Sequence, residues 1–197
     1  MKKTFLGAAV VTAALVLGTA VPASASVSTA VPAGTIVDVA VAASGGGTPD
    51  ADNSDYDILV QALIATGLTG TLSDTGTQFT VFAPNDRAFL RLVTDLTGTA
   101  PADEASALAT VAAAFTPEQL TNILLYHVVA GQKLGPIKVL LSRSLTMANG
   151  GVVRPLGPIL RDETRSLRDP FLVLRAVNIQ ASNGVIHTID RVLVPAS

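Results

Sequence analysis

Two histidines, His127 and His187, are the only imidazoles in the chain, so any histidine-dependent chemistry must use one of them. His127 falls on the apolar stripe of a predicted helix, and His187 shares one face of a predicted strand with Val185 and Ile189. No second histidine lies three to five residues from either, as a metal site on one element would need. The pattern favours buried histidines bonded to backbone groups over catalysis or metal binding.

Aspartates alternate at positions 50, 52, 55 and 57, and carboxylates at such spacing suggest a calcium loop. The stretch lacks the glycine at the sixth position and the glutamate at the twelfth that an EF-hand loop has. A solvated acidic loop is therefore favoured over a calcium site.

Arginines recur in one segment of the second half, at a spacing that would place them on one face of a helical turn: Arg161, Arg165 and Arg168. With Arg154 and Arg175 nearby, this segment could bind a phosphate, a uronate or an anionic envelope polymer. Acidic residues are interleaved with the arginines, and a self-paired surface loop is favoured over a binding site.

The composition excludes several classes of protein. The absence of cysteine excludes disulfide scaffolds, Cys-ligated zinc, iron–sulfur clusters and thiol nucleophiles. Neither a Gly-x-Ser-x-Gly elbow nor a glycine-rich phosphate loop occurs. With no Trp, two Tyr and an acidic isoelectric point, nucleic-acid binding is not expected. The sequence thus predicts a protein that is not an enzyme and uses no cofactor or metal.

The N-terminus has the three regions of a secretory signal peptide. A basic start at Lys2 and Lys3 precedes an uncharged run from Phe5 to Val21 and the small-residue site Ala23-Ser24-Ala25. The prediction is a cleaved signal peptide (1–25), a flexible leader (26–34) and one domain (35–195); an uncleaved membrane anchor is the alternative. The protein is expected to be secreted or associated with the cell envelope, without a membrane span after cleavage.

Charges are divided unevenly along the predicted mature chain. Residues 26–127 contain 11 acidic and two basic side chains, whereas residues 128–197 contain nine basic and four acidic ones. Pairing of these two parts inside one fold is favoured over two patches that face partners.

Helices are predicted mainly in the first part of the chain. Apolar residues from Tyr56 onward repeat at helical spacing, and Ser54 with Asp57 is a plausible capping box for that helix. Asn85 and Thr116 are the predicted N-caps of two further helices, and an alanine-rich helix lies between them.

Strands are predicted mainly in the second part. Phe79 to Ala83 is an early strand, and four later runs have β character: Leu145 to Met147, Val152 to Arg154, Phe171 to Val177 and Gly184 to Val194. The dipeptide Asn149-Gly150 indicates a hairpin between the first two of these runs, and Asn183-Gly184 a turn before the last. Early helices and late strands predict an α+β fold.

Three sequence blocks follow one another along the chain: Phe79-Thr-Val-Phe-Ala-Pro-Asn-Asp-Arg-Ala-Phe89, Leu125-Tyr-His-Val128, and Ala181-Ser-Asn-Gly-Val-Ile-His-Thr-Ile-Asp-Arg-Val-Leu-Val-Pro195. The first and third resemble the two signature motifs of the fasciclin-like domain, with that family's Tyr-His motif between them. The resemblance covers about Thr35 to Pro195. It implies an α+β fold with a wedge-like β-sheet arrangement and helices packed around it.

The resemblance also implies a non-enzymatic role in cell adhesion or matrix interaction. Family adhesion activity has been attributed to the Tyr-His region, which corresponds to Tyr126 and His127, and to an Asp-Ile pair, which corresponds to Asn178 and Ile179. Because Asn178 lacks the carboxylate and the chain has no Arg-Gly-Asp, an integrin-type contact is not expected. Tyr126 lies off the apolar stripe and is expected at the surface, whereas His127 is expected to be structural.

These observations favour an exported binding module. Its partner would be an extracellular or cell-surface protein, or an anionic polysaccharide, bound through a surface patch drawn from Tyr126, His127, Asn178, Ile179, Arg161, Arg165 and Arg168. A secreted carrier that holds a lipid or other apolar ligand between the helices and the sheet is the alternative.

Overall fold

The computed structural model describes residues 34–196, so the predicted signal peptide and nearly all of the predicted leader lie outside the described residues. The helices are α1 (Ile36–Ala43), α2 (Asp57–Ala65), α3 (Thr69–Leu72), α4 (Asp86–Thr97), α5 (Glu104–Ala114), α6 (Pro117–Leu125) and α7 (Pro136–Leu141). The strands are β1 (Phe79–Pro84), β2 (Val128–Ala130), β3 (Leu145–Thr146), β4 (Val152–Leu156), β5 (Ile159–Arg161), β6 (Ile179–Ala181) and β7 (Gly184–Ile189). The predicted α+β class is confirmed.

The strands form two sheets. The larger has the order β2-β1-β7-β6, and the smaller has the order β3-β4-β5. Strands β1 and β7 run parallel, with Phe82 opposite His187, and the other pairs are antiparallel. Both central strands are buried along their whole length, because other elements cover each face of this sheet.

Side chains of β1 alternate between two apolar cores. Phe79, Val81 and Ala83 pack in the core that contains helices α1, α2, α4, α5 and α6. Phe82 packs in the second core, together with α7 and the smaller sheet. The second core also contains Tyr126, so the Tyr-His segment joins the two cores.

Local capping signals predicted two helix starts. The side chain of Asn85 accepts a hydrogen bond from the Ala88 amide (3.1 Å), as expected for the N-cap of α4. Thr116 accepts one from the Gln119 amide (3.3 Å), and Pro117 occupies the first turn of α6. Both predicted caps are confirmed.

The predicted capping box of α2 is wrong. This helix begins after Tyr56 and has no cap from its own segment. The amides of Asp57 and Ile58 instead donate to the two carboxylate oxygens of Asp86, at 3.1 and 2.7 Å. A side chain from the start of α4 therefore caps α2.

The predicted Asn149-Gly150 hairpin is confirmed, since Leu145 pairs with Val153 across it. The predicted strand from Phe171 to Val177 is wrong: two isolated bridges are followed by a 3₁₀ turn at Leu174–Ala176. The strand in this region is β6, which follows Asn178. Asn178 has a φ of 63°, a left-handed conformation that interrupts an extended run.

Candidate functional site

Tyr126 lies immediately after the last residue of α6 and is fully buried. Its hydroxyl donates to the Val152 carbonyl (3.0 Å) and accepts from the Glu163 amide (3.1 Å). Its ring lies so close to Gly151 that a Cβ there would be 2.6 Å from a ring carbon. The predicted surface exposure of Tyr126 is wrong, because the hairpin that contains Gly151 and Val152 covers the end of the helix.

His127 is also buried, as predicted. Its Nδ1–H donates to the Ile123 carbonyl (2.8 Å), and its Nε2 accepts from the Leu193 amide (2.9 Å). Desolvation by burial lowers the pKa of His127 from 6.5 to about 4, so the ring is neutral near pH 7. The Tyr-His pair thus holds the C-terminal segment and the smaller sheet against α6, and presents neither side chain to a partner.

His187 has both ring nitrogens occupied by backbone groups. Its Nε2–H donates to the Leu134 carbonyl (2.8 Å), and its Nδ1 accepts from the Asn178 amide (3.1 Å). Burial lowers the pKa of His187. A catalytic base needs a free nitrogen within reach of substrate, which this buried ring does not offer.

Asn178 and Ile179 precede the turn into the last strand. Asn178 is exposed, and Ile179 is half-buried. The Asn178 side chain accepts from the Gln180 side-chain amide (2.8 Å). Of the two regions that the resemblance points to, this pair is the one that reaches solvent.

Three arginines surround one surface cleft of about 440 Å³: Arg154, Arg161 and Arg165. This arginine cleft lies on the smaller sheet, where Arg154 of β4 stands directly opposite Arg161 of β5. Arg168 lies elsewhere, in a small pocket with Asp95 and Arg191. The helical turn that would place Arg161, Arg165 and Arg168 on one face does not form, because residues 162–168 contain bends and no helix.

Two acidic residues, Asp162 and Asp169, line the arginine cleft together with the arginines, and both have partners within the fold. Asp162 accepts backbone hydrogen bonds from Thr164 (3.1 Å) and Val194 (3.0 Å), and desolvation raises its pKa to about 6. Asp169 approaches Arg161 at 3.8 Å, an exposed pair that contributes little. Within residues 34–196, Arg154 and Arg165 form no ion pair. Like charges opposite each other on paired strands repel, so an anion in the cleft would relieve this repulsion.

The space between the helices and the larger sheet is too small for a lipid. An apolar cavity of about 20 Å³, lined partly by Ile36 and His127, is large enough for about one water molecule. A second, apolar pocket beside Phe115 and Val194 measures about 150 Å³, below the usual size of ligand pockets. This geometry gives no support to the carrier alternative.

An α+β domain with helices packed around a β-sheet is the architecture that the sequence motifs predict. The fasciclin domain family matches residues 54–195, and the chain belongs to that family. Fasciclin domains are known from cell adhesion proteins; the family is generally non-enzymatic and typically extracellular or surface-associated. Within the described residues, no helix has both the length and the apolar character needed to cross a bilayer.

Two relatives from Synechocystis sp. match this chain. The protein sll1483 is 32% identical over 154 residues, which cover 74% of this chain and 70% of that protein. The uncharacterized protein sll1735 is 32% identical over 143 residues, which cover 71% of this chain and 89% of that protein.

A solved structure has the same fold: a FAS1 domain pair from the insect cell adhesion molecule Fasciclin I, with a TM-score of 0.56 and 15% sequence identity. The match covers 83% of this chain and spans about half (51%) of that one. It therefore corresponds in extent to part of the pair.

Proposed function

We propose that the chain is an exported, non-enzymatic fasciclin domain that binds an anionic polysaccharide of the cell envelope or matrix through the arginine cleft. Membership of the fasciclin family supports an adhesion-type role. The predicted signal peptide supports export. The juxtaposition of Arg154, Arg161 and Arg165 around one cleft is the observation on which the choice of partner depends.

A guanidinium group suits this partner because its planar donors match the two oxygens of a carboxylate or sulfate group. Arg154 and Arg165 have no acidic partner within the part of the chain that the structure describes, so their donors are available. A polymer with a charge on each sugar would engage several guanidinium groups at once. Such binding gains from multivalency and weakens as salt screens the charges.

Binding to immobilised polygalacturonate, measured by biolayer interferometry at several salt concentrations, tests the proposal. Replacing Arg154, Arg161 and Arg165 together by Ala should weaken binding at least about tenfold, since each charge-assisted hydrogen bond contributes about 1.5–3 kcal/mol. The matched control replaces three exposed arginines outside the cleft: Arg143, Arg168 and Arg175. It removes the same charge and should change binding less than about threefold.

Equal losses in the two triple variants would refute the cleft as the binding site. Binding to cells stripped of acidic polysaccharide tests the other site. If only an Asn178→Ala variant loses this binding, a protein partner at Asn178 and Ile179 is favoured instead. In both cases circular dichroism must show that the variants are folded.

A further inference from the structure

A second charged cluster lies where the loop before α2 meets the first turns of α4 and α5. This acidic cluster comprises Asp50, Asp55, Asp57, Asp86 and Glu104. Asp57 and Asp86 are 0% exposed, and Glu104 is 1% exposed. Buried carboxylates are rare without a compensating positive charge, so the cluster requires an explanation.

The carboxylates form two overlapping groups that share Asp55. One oxygen from each of Asp50, Asp55 and Asp57 lies within 4.8 Å of the others, and the same holds for Asp55, Asp86 and Glu104. Two oxygens bound to one Ca²⁺ at about 2.3–2.6 Å are at most about 5 Å apart. The spacing in each group therefore fits ligands of a common cation.

Several buried oxygens of the acidic cluster have no hydrogen-bond partner. They are both carboxylate oxygens of Asp57, Oδ1 of Asp55 and Oε1 of Glu104. Buried polar atoms are nearly always hydrogen-bonded, so four such atoms in one place point to a missing partner. Asp57 is the clearest case, because its whole side chain is buried and its oxygens lie among the other carboxylates.

No positive side chain neutralises the cluster within residues 34–196. The three ion pairs found there join Arg91 to Asp190, Arg161 to Asp169 and Arg191 to Asp95. Desolvation and the neighbouring carboxylates raise the pKa of Asp57 to about 6, and chiefly desolvation raises that of Asp86 to about 8. Both values reflect the cost of holding unpaired negative charge in this place.

Structural roles account for part of the cluster only. Asp86 caps α2, and Oε2 of Glu104 accepts from the Asp50 amide (2.8 Å). These bonds orient the two carboxylates, as hydrogen bonds around a metal site commonly do. They leave Asp57 and the remaining oxygens of Asp55 and Glu104 unexplained.

We propose that the acidic cluster binds a Ca²⁺ ion, with Asp55 and Asp57 at its centre. A set of carboxylate oxygens without His or Cys suits a hard cation, and Ca²⁺ accepts the six to eight flexible ligands that a crowded loop supplies. The sequence spacing alone favoured an acidic loop. Asp86 and Glu104 replace the missing EF-hand positions from distant parts of the chain, and only the fold brings them together.

The test is thermal unfolding and isothermal titration calorimetry of the purified protein at pH 7.5. Relative to EDTA, 10 mM Ca²⁺ should raise Tm by roughly 5–10 °C if Kd is near 0.1 mM. Mg²⁺ should raise it less, since Mg²⁺ gives up its water reluctantly, and NaCl of equal ionic strength should not reproduce the shift. Calorimetry should show one saturable Ca²⁺ site.

Variants separate ligation from general electrostatics. Asp57→Asn and Glu104→Gln should each weaken Ca²⁺ binding at least about tenfold. Asp52→Asn is the matched control: it removes one charge from the same loop, but its carboxylate already accepts from the Ser54 amide and hydroxyl. Its Ca²⁺ affinity should change less than about threefold.

The proposal is overturned if the wild-type protein shows neither binding heat nor a Tm shift up to 10 mM Ca²⁺. It is also overturned if Asp57→Asn binds Ca²⁺ as tightly as the wild type. If Asp57→Asn does not fold, Glu104→Gln takes its place. The proposal is then overturned if Glu104→Gln binds Ca²⁺ as tightly as Asp52→Asn does.

Discussion

Acid should destabilise the protein through His127. The Nε2 acceptor role toward the Leu193 amide requires the neutral ring, whereas the Nδ1–H bond to the Ile123 carbonyl is available to both protonation states. A protonated ring would place a second N–H against the Leu193 amide, inside an apolar environment. The unfolded chain has no such restriction and takes up the proton freely.

The magnitude follows from the two pKa values. The unfolded chain protonates His127 near pH 6.5, and the folded protein does so only near pH 4, because burial lowers the pKa. Between these values the unfolded state binds more protons, so the contribution of His127 to stability is complete above pH 6.5 and is lost as the pH falls toward 4. The difference corresponds to about 3 kcal/mol.

Buried carboxylates act in the opposite direction. The pKa values of Asp57, Asp86 and Asp162 are raised by burial, so their protonation stabilises the folded state as the pH falls. The pH dependence of the wild-type protein alone therefore mixes opposing effects. A comparison with a His127 variant isolates the histidine.

His127→Gln is the appropriate variant, since its amide provides one donor group and one acceptor and does not titrate. Urea unfolding of both proteins should show a stability difference that shrinks by about 3 kcal/mol between pH 7.5 and pH 4. NMR of the ring nitrogens in the wild type gives an independent reading of the same pKa. A difference that stays constant across this range, with a ring pKa near 6.5, would refute the reasoning.

Three further substitutions should reduce the free energy of unfolding measured in urea. Tyr126→Phe leaves two partly buried backbone groups without their hydroxyl partner and should cost about 1–2 kcal/mol; no measurable loss would contradict the assigned bonds. Asn183→Ala removes buried hydrogen bonds that join α1, α3 and the turn before β1, at a cost of about 3 kcal/mol. Gly184→Ala would push a Cβ against the Phe79 carbonyl and separate the central strands, whereas the control Gly70→Ala, inside α3, meets no atom and should not reduce stability.

Predictions from sequence succeeded where the determining contacts are local. The caps at Asn85 and Thr116 each depend on a side chain and an amide three residues away, and the Asn149-Gly150 turn depends on two adjacent residues. Such signals lie within one short segment. The fasciclin motifs then indicated how these elements combine.

Predictions failed where the partner is distant. The cap of α2 comes from Asp86, which lies 29 residues beyond Asp57 and cannot be found from the helix's own segment. The predicted exposure of Tyr126 depends on helical periodicity, which places it off the apolar stripe. Because α6 ends at Leu125, this periodicity does not apply to Tyr126. Its environment is set by the hairpin around Val152, which the sequence predicted without showing where it would pack.

The interpretation of the arginine-rich segment as a self-paired loop was incomplete for a related reason. Asp162 accepts the Val194 amide and Glu163 accepts the Val152 amide, so two acidic side chains that seemed to neutralise the arginines instead bind backbone groups. These bonds hold the segment in bends and leave Arg154 opposite Arg161. The Gly157-Pro158 turn between the two strands was the sequence signal that could have predicted this pairing.

The uneven charge of the chain is only partly balanced inside the fold. Within residues 34–196, two ion pairs connect the two parts of the chain. Arg191 with Asp95 (2.7 Å) joins a basic residue of the second part to an acidic residue of the first, whereas Arg91 with Asp190 (2.9 Å) has the opposite polarity. Neither involves the acidic cluster, and neither involves Arg154 or Arg165. Within the described residues, the acidic cluster and the arginine cleft are thus not paired with each other.

This division predicts that the two clusters act independently. EDTA should abolish the Ca²⁺-dependent rise in Tm and leave polygalacturonate binding unchanged in strength. Replacing Arg154, Arg161 and Arg165 should weaken polymer binding and preserve the Ca²⁺-dependent rise. If EDTA also releases the polymer, polymer binding depends on the bound calcium, and the prediction that the two clusters act independently is wrong.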